Sequence, residues 1–318
     1  MNPIVSVLIP VYNGLPYLEE TIESVLAQSY KEWELIVGNN ASTDKTAEIV
    51  AQFKDPRIRM ITHAKNLGAA KNWNFLLQLA QTRYACVLGA DDIFAPDHLE
   101  RKINLLEQNA EAPFVHGAVH MIDANGNRLP DDLFDCAPVE QKSVTLPRFL
   151  KVNFVNITSV VFRMAAVRRH NLGFESRYVL MGDWALLLKL AMLGGPVLYD
   201  NQPTASYRIH SKSDARTNMG KFIWSYDGAR MLVDALMEYP AVWRAIGVDT
   251  QAEARTLTKR FGRLAFQQVR RGNFSNARQA WRFYREFHSL TEAFLDIPRH
   301  LGGGFRKIKS KVPLIIGG

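Results

Sequence analysis

The feature that most constrains the fold is a regular alternation of apolar strands and amphipathic helices over the first hundred residues. The run IVSVLIPV (4–11) is apolar throughout, as is typical of a parallel strand that is covered on both faces. The next segment places Leu18, Ile22 and Val25 on one face of a helix. Repeated β-α units of this length predict a mostly parallel, Rossmann-like sheet flanked by helices, so the predicted fold class is α/β.

Three polar clusters follow strands of the predicted sheet. They are YNG (12–14) after the first strand, NNASTD (39–44) after the second and GADD (89–92) after the fourth. Parallel sheets bind their ligands beyond the carboxyl ends of their strands. The clusters are far apart along the chain, but we expect the sheet to bring them to one edge, which is the predicted binding site.

The last cluster contains two adjacent acids, Asp91 and Asp92, after the apolar run YACVL (84–88). Like charges repel, and burying them costs several kcal/mol per ion unless a positive group compensates. Oxygen ligands of this kind suit a hard divalent cation, since Mg²⁺ typically takes one or two carboxylates together with phosphate oxygens. The alternative is that one of the acids only caps the helix that follows.

Beyond residue 110 the alternation weakens, and from about residue 211 helical patterns replace strands. The C-terminal part is basic, because residues 251–318 contain 14 Lys or Arg and 4 acids, which gives +10 there against +8 for the whole chain. Such a region suits an anionic partner, either membrane lipid or nucleic acid. The alternative is an ordinary solvated helical face.

The cysteine content and the hydropathy pattern bear on location. Cys86 and Cys136 make no disulfide framework, so a reducing, cytoplasmic compartment is expected. No signal peptide is visible, and no uncharged apolar stretch reaches the roughly 18 residues of a spanning helix. We therefore expect a soluble protein that lies at most on the inner face of a membrane, with the basic tail 300–318 as the contact.

Five strings occur in order: VSVLIPVYNG, ELIVGNNASTDKT, NLGAAKNWN, GADDIFAPDHL and GDWALLLKL. Together they resemble the family 2 glycosyltransferases, which are inverting enzymes that use nucleotide-diphosphate sugars and have the GT-A fold. The resemblance is close over residues 4–110 and looser to 210. It implies a GT-A catalytic domain at 1–210, made of a nucleotide-sugar half at 1–110 and an acceptor half at 111–210. The resemblance is absent beyond 210, where the helical pattern and the charge predict a basic helical extension at 211–318.

The resemblance also implies roles for individual residues. Asp183 in GDW matches the general base of the family. Asp91 matches the last acid of the metal-binding D-x-D signature, and Asp92 and His210 are further candidate metal ligands. The resemblance gives Pro10, Val11, Tyr12, Asn13, Asn39 and Asp91 as nucleotide-binding residues. Lys71 is a further candidate for nucleotide binding by its charge alone, as a cation for the diphosphate that no motif spacing fixes.

Three polar or aromatic residues are candidates for the acceptor site. Trp184 could stack on a sugar, and Asn156 and Thr158 could bind sugar hydroxyls. The alternatives are a core position for Trp184 and strand-edge positions for the other two. For Asp183, the alternative to a base is a charge that only complements the dipole of its helix.

The sequence departs from the family pattern at three positions. Asn39 stands where an Asp is usual, Gly89 occupies the first position of D-x-D, and Gly182 replaces the Glu of EDW. An amide both donates and accepts hydrogen bonds, whereas a carboxylate only accepts. A UDP-sugar is the favoured donor, and Asn39 leaves uracil, thymine and guanine open as the base.

The expected function is inverting, metal-assisted transfer of a sugar to a carbohydrate or lipid-linked glycan acceptor in surface polysaccharide biosynthesis, with Mn²⁺ or Mg²⁺ as the cofactor. One alternative is a catalytically inactive nucleotide-sugar-binding module. A sugar nucleotidyltransferase would need a glycine-rich phosphate loop, and PVYNGLPYL is not one. A nucleic-acid-binding protein would need a recognisable motif, which is absent from the sequence, so no nucleic acid partner is expected.

Overall fold

The structure is a computed structural model that describes residues 3–134, 142–151, 153–211, 213 and 221–289. The chain forms two compact units, Met1–Trp224 and Ser225–Gly318. The predicted domain boundary at residue 210 lies within the first unit. Cys136 and the tail 300–318, on which the predicted location partly depends, lie outside the described residues.

Two sheets organise the first unit. Its strands are β1 (Val5–Val11), β2 (Trp33–Asn39), β3 (Ile58–Thr62), β4 (Tyr84–Val87), β5 (Ile93–Phe94), β6 (Phe114–Gly117), β7 (Val119–Ile122), β8 (Arg128–Phe134), β9 (Val161–Arg163), β10 (Leu198–Asp200) and β11 (Ala205–Arg208). The larger sheet has the order β10-β6-β9-β4-β1-β2-β3, and the smaller has the order β5-β11-β7-β8. In the larger sheet β9 runs antiparallel to β4 and β6, whereas the other pairs are parallel.

Helices flank these sheets, as the alternating pattern predicts. In the first unit they are α1 (Leu18–Leu26), α2 (Thr46–Gln52), α3 (Ala69–Leu79), α4 (His98–Gln108), α5 (Lys142–Phe149), α6 (Met164–Arg169) and α7 (Gly182–Met192), with a 3₁₀ turn at Ile157–Ser159. The next helices are α8 (Phe222–Glu238), α9 (Pro240–Arg244), α10 (Thr250–Arg270) and α11 (Phe274–Arg285). No helix among the described residues combines the length and the apolar character that crossing a bilayer requires.

The core of the first unit is built around β1. Leu8 and Ile9 are both fully buried although they point to opposite faces of the sheet, because helices cover both faces. Leu18, Ile22 and Val25 of α1 pack into the same core, which confirms the predicted helix face. Each such side chain contributes about 1.5–3 kcal/mol when fully buried.

The strand register decides where the polar clusters lie. Val11 is paired with Asn39 across β1 and β2, and Leu8 is paired with Val87 across β1 and β4. The carboxyl ends of these parallel neighbours therefore meet at one edge of the large sheet. In the small sheet β5 pairs antiparallel with β11, with Ile93 opposite Ser206. This pairing brings the segment after β11 beside the two acids that precede β5.

The second unit is helical, and an aromatic cluster forms part of its core. The rings of Phe261 on α10 and Phe283 on α11 lie 5.1 Å apart. A Cβ at Gly262 would lie 3.0 Å from the ring of Tyr284, which is tighter than ordinary van der Waals contact, so the glycine favours the close approach of the two helices. Tyr284 is fully buried, whereas Arg278 is exposed. The helix pair thus has an apolar inner side and a basic, solvated outer side.

Candidate active site

Hydrogen bonds join the loops that follow β1 and β2. Asn13 Oδ1 accepts from the main-chain N–H of Thr43 at 2.8 Å, and the Asn13 N–H donates to Ser42 Oγ at 2.9 Å. The Ser42 N–H donates to Asn39 Oδ1, also at 2.9 Å. Asn13 has a φ of 56°, in the left-handed region where asparagine is enriched. The first two polar clusters therefore form one connected surface.

Tyr12 and Asn39 differ in their exposure at this edge of the sheet. The Tyr12 side chain is 50% exposed, so its ring is open to solvent and to a ligand. Asn39 is buried, and its oxygen must face Ser42 because the main-chain N–H there needs an acceptor. Its amide nitrogen lies 3.5 Å from Thr62 Oγ1, a long contact that binds this donor only weakly.

The other predicted nucleotide residues lie along the same edge. Pro10 and Val11 end β1, and the buried Val11 accepts a hydrogen bond from the Asn40 N–H through its carbonyl at 2.8 Å. Lys71 lies in the first turn of α3, and its side chain is exposed. An exposed cation near a helix N-terminus at this edge suits an anionic group of a ligand.

Asp91 faces a histidine from a distant part of the chain. Its Oδ2 lies 2.9 Å from His210 Nε2, and the Asp91 side chain is 32% exposed. The ring of Tyr17 packs against the His210 ring with 4.9 Å between centroids. The structure thus brings together two of the predicted metal ligands, which are 119 residues apart in the sequence.

Asp92 points into the protein instead. Its Oδ2 accepts a 2.6 Å hydrogen bond from Thr158 Oγ1, and its Oδ1 accepts from the Arg208 N–H at 2.9 Å. Burial, and next the charge of Asp91, raise the pKa of Asp92 to about 8. Both carboxylate oxygens are therefore engaged by protein groups, which differs from the predicted role of Asp92 as an open metal ligand.

The donor set at this edge fits a divalent cation bound with few protein ligands. Within the described residues, no group of three or more His, Cys, Asp or Glu is arranged to hold a metal. Asp91 and His210 converge as one oxygen and one nitrogen donor, both partly accessible. Mg²⁺ and similar ions commonly use one or two protein ligands and fill their other positions with phosphate oxygens and water.

Gly89 explains how the two acids fit beside each other. A Cβ at this position would lie 2.7 Å from Asp92 Oδ2 and 2.9 Å from Asp91 Oδ1. Contacts this short are not tolerated without displacing one of the carboxylates. The absence of an acid at the first position of the D-x-D pattern therefore has a steric reason in this chain.

Asp183 lies in the first turn of the apolar helix α7. Its carboxylate is partly buried, and Oδ1 accepts a hydrogen bond from the Trp184 N–H at 2.7 Å. Burial raises the pKa of Asp183 to about 6, and the local main-chain hydrogen bonds lower it only in part. A carboxylate with a pKa near neutrality can accept a proton from a hydroxyl more readily than an ordinary aspartate can.

The acceptor candidates lie deeper than the sequence suggests. Trp184 is only 7% exposed, so its ring offers no open face for a sugar, and it occupies the core position that was its alternative. Thr158 is fully buried and donates to Asp92, which differs from its predicted contact with an acceptor hydroxyl. Asn156 is partly buried, and its Oδ1 accepts from the Thr158 N–H to cap the 3₁₀ turn.

One residue of this site, Arg208, was not predicted from the sequence. Its side chain is 1% exposed, yet it lies at the end of the short strand β11. An arginine at such a position is most often solvated, so the sequence carries no signal for its burial. The hydrogen bonds that hold its guanidinium come from segments 84 to 188 residues away.

Comparison with known proteins matches residues 6–172 to the family described as Glycosyl transferase family 2. An uncharacterised glycosyltransferase of Haemophilus influenzae is 30% identical over 71% of this chain and 87% of its own length. A protein described as a putative teichuronic acid biosynthesis glycosyltransferase, TuaG of Bacillus subtilis, is 31% identical over 67% of this chain and 81% of its own. In Escherichia coli, the UDP-Glc:α-D-GlcNAc-diphosphoundecaprenol β-1,3-glucosyltransferase WfgD is 35% identical over 38% of this chain and 48% of its own.

Solved structures share the architecture at low sequence identity. Residues 1–349 of S. aureus TarS, crystallised with UDP-GlcNAc, match with a TM-score of 0.60 and 15% identity, over 91% of this chain and 93% of that one. The mannosyltransferase PcManGT of Pyrobaculum calidifontis, with GDP-Man and Mn²⁺, matches with a TM-score of 0.55 and 19% identity, over 98% and 82%. These likenesses confirm the predicted GT-A fold.

Proposed function

This chain belongs to glycosyltransferase family 2, and we propose that it transfers one sugar from a nucleotide-diphosphate sugar to a hydroxyl of a glycan or lipid-linked glycan, with inversion at the anomeric carbon. The observation that carries the proposal is the Asp91–His210 pair at the carboxyl edge of the large sheet. On the neighbouring strands the same edge presents the connected loops of Asn13 and Asn39. A diphosphate site beside a base site is what a nucleotide-sugar donor requires.

Asp91 and His210 are the proposed ligands of Mn²⁺ or Mg²⁺, with Asp92 in support of Asp91. When bound, the cation supplies positive charge that stabilises the departing nucleoside diphosphate. A metal role is supported by the donor types at this site and by the Mn²⁺ in the related PcManGT structure. Exposed Lys71 is a further candidate for neutralising the diphosphate.

Asp183 is the proposed general base. The acceptor oxygen attacks the anomeric carbon from the side opposite the diphosphate, and its proton passes to the Asp183 carboxylate. The electron pair of the breaking bond between the sugar and the phosphate oxygen leaves with the nucleoside diphosphate. The raised pKa of Asp183 supports this role, because the ionised form still predominates at pH 7 while proton affinity is increased.

The donor and the acceptor are proposed by class. The open ring of Tyr12 suits stacking on a base, and a UDP-sugar remains the favoured donor, with thymidine-diphosphate and GDP-sugars as the alternatives. The TuaG and WfgD relatives support a role in the biosynthesis of surface polysaccharide, on an acceptor that is itself a glycan or a lipid-linked glycan. A cytoplasmic location with contact to the inner membrane face through residues 300–318 completes the proposal.

The experiment that tests the donor site is a thermal-shift titration with UDP, UDP-GlcNAc and GDP-Man, each with and without Mn²⁺. A ligand that binds only the folded state increases the free energy of unfolding by mass action, by about 2.7 kcal/mol at one hundred times its Kd, and this raises the melting temperature. We expect metal-dependent stabilisation that Asp91→Ala abolishes. Asp97→Ala is the matched control, because Asp97 is an exposed acid at the start of α4 that makes no capping hydrogen bond.

Two results would contradict the proposal. Stabilisation by Mn²⁺ and nucleotide that survives in Asp91→Ala would move the metal site elsewhere. Stabilisation that is intact without any turnover of the donor, either to an acceptor or to water, would favour the inactive nucleotide-sugar-binding module. An active enzyme, by contrast, should release nucleoside diphosphate from the donor, and Asp183→Ala should abolish that release.

A further inference from the structure

Arg208 makes a set of contacts that ties together the separate pieces of the acid site. Its Nε donates to the main-chain carbonyl of Asp91 at 2.8 Å, and its own N–H donates to Asp92 Oδ1 at 2.9 Å. Both residues of the acid pair are therefore attached to the same arginine. A buried guanidinium with fixed donor geometry can hold several acceptors in one arrangement, which a flexible ammonium group cannot do equally well.

The guanidinium is itself held from three further directions. Its terminal nitrogens reach Glu20 Oε2 on α1 at 2.6 Å and the carbonyl of Asp123, in the turn after β7, at 3.3 Å. It also stacks over the Tyr17 ring with 4.7 Å to the centroid. A buried charge of this kind is tolerated only when its donors are satisfied and its charge is compensated, and Glu20 and the neighbouring acids meet both conditions.

The same contacts reach His210. The ring of Tyr17 contacts both groups, because the guanidinium stacks over it at 4.7 Å and the His210 ring packs against it at 4.9 Å. His210 follows Arg208 by two residues at the end of β11, so the strand that places one also places the other. Arg208 thus contacts the main chain of one candidate metal ligand and the aromatic support of the other.

We propose that Arg208 is a positioning residue that holds Asp91 and His210 in one metal-binding arrangement. The inference rests on the proposed function, since it takes these two residues as the ligands. Arg208 does not touch the cation in this scheme, and it acts by fixing the carbonyl of Asp91 and the ring of Tyr17. Outer groups that orient metal ligands typically change metal affinity 10- to 100-fold when they are mutated.

The test is Arg208→Lys, which keeps the positive charge and removes the planar donor set. Mn²⁺ is titrated into the protein in the presence of saturating UDP, or GDP if UDP gives no thermal shift, and free Mn²⁺ is read by electron paramagnetic resonance without any acceptor. We expect the Kd for Mn²⁺ to rise about 10- to 100-fold. A Kd within about twofold of the wild-type value, well below the range typical of such groups, would overturn the inference.

Arg163→Lys is the matched control. The Arg163 side chain also donates to main-chain carbonyls, those of Ala112 at 3.0 Å and Leu106 at 2.6 Å. It lies away from the acid pair, because Arg163 is paired with Tyr84 at the start of β4 and the two acids follow the end of that strand. The Arg163→Lys variant should have a lower melting temperature and an unchanged affinity for Mn²⁺. An equal loss of Mn²⁺ affinity in this variant would mean that general destabilisation, and not positioning, explains the effect.

A second variant covers the case in which Arg208→Lys does not fold. Glu20→Gln keeps a hydrogen-bond acceptor for the guanidinium and removes the charge that draws it toward α1. We expect a smaller rise of the Kd for Mn²⁺ in the same direction, and an unchanged Kd would count against the inference. If the wild-type protein binds no Mn²⁺ with either nucleotide, the proposed metal site fails, and the positioning role fails with it.

Discussion

Replacing Asp183 with Asn should stabilise the protein and inactivate it at the same time. Burial raises the pKa of Asp183 from 3.8 to about 6. At about 1.4 kcal/mol per pKa unit, holding the ionised carboxylate in the fold costs at most about 3 kcal/mol above pH 6. The Asn side chain can still accept the hydrogen bond from the Trp184 N–H. It loses only the favourable interaction of the charge with the helix N-terminus, which is worth about 0.3–1 kcal/mol.

The size of this difference in stability depends on pH. Below about pH 4 the carboxyl is protonated in both the folded and the unfolded states, so no penalty applies. Between about pH 4 and 6 the unfolded state loses its proton first, and the wild-type stability falls relative to Asp183→Asn. Above pH 6 the variant should be about 2 kcal/mol more stable, which is the burial cost less the dipole term.

Urea denaturation of both proteins at pH 4, 6 and 8 measures this difference directly. Asp97→Asn is the control, because Asp97 is exposed at the start of α4, and its effect should stay within about 0.5 kcal/mol at each pH. Sugar transfer by Asp183→Asn should fall by about 10²- to 10⁴-fold, as is usual for loss of a general base. If the Asp183→Asn variant is less stable than the wild type at pH 8, the idea that the fold holds an ionised carboxylate at a desolvation cost is refuted.

Two further predictions concern the same site. The pH profile of kcat/KM should fall on the acid side with an apparent pKa of about 6, the value of Asp183, and an acid limb near pH 4 would argue against this residue as the base. In the same urea titration, Thr158→Val should lower the free energy of unfolding by about 1–3 kcal/mol, because the buried Asp92 Oδ2 loses its hydrogen-bond donor. The control is Thr256→Val on the exposed side of α10, which should change the free energy of unfolding by less than about 0.5 kcal/mol.

The parts of the site that could be predicted are those that depend on local pattern. The apolar run of β1 and the spacing of Leu18, Ile22 and Val25 predict a buried strand and its covering helix, because periodicity follows from backbone geometry. The carboxyl edge could be predicted as well, since parallel strands end on the same side. The structure places Asp91 and His210 side by side, and their role as joint metal ligands stays a prediction.

The burial and the contacts of individual side chains could not be predicted from the local sequence pattern. Asp91 and Asp92 are neighbours of the same chemical type, yet one is accessible and the other is buried against Thr158, 66 residues away. The burial of Arg208 likewise depends on Glu20, 188 residues earlier in the chain. Such contacts arise from tertiary packing, and no periodicity in the sequence reports them.

The structure resolves the repulsion between the two adjacent acids by giving them different environments. Asp92 is turned inward, where Thr158 and the Arg208 N–H satisfy its oxygens and where burial favours its proton-bound form. Asp91 faces outward beside His210, and its carboxylate is accessible to a ligand. Gly89 makes this division possible, because any larger residue would displace a carboxylate. A departure from the acidic pattern of the family is therefore consistent with an intact site, in which one open acid is supported by a second that is buried.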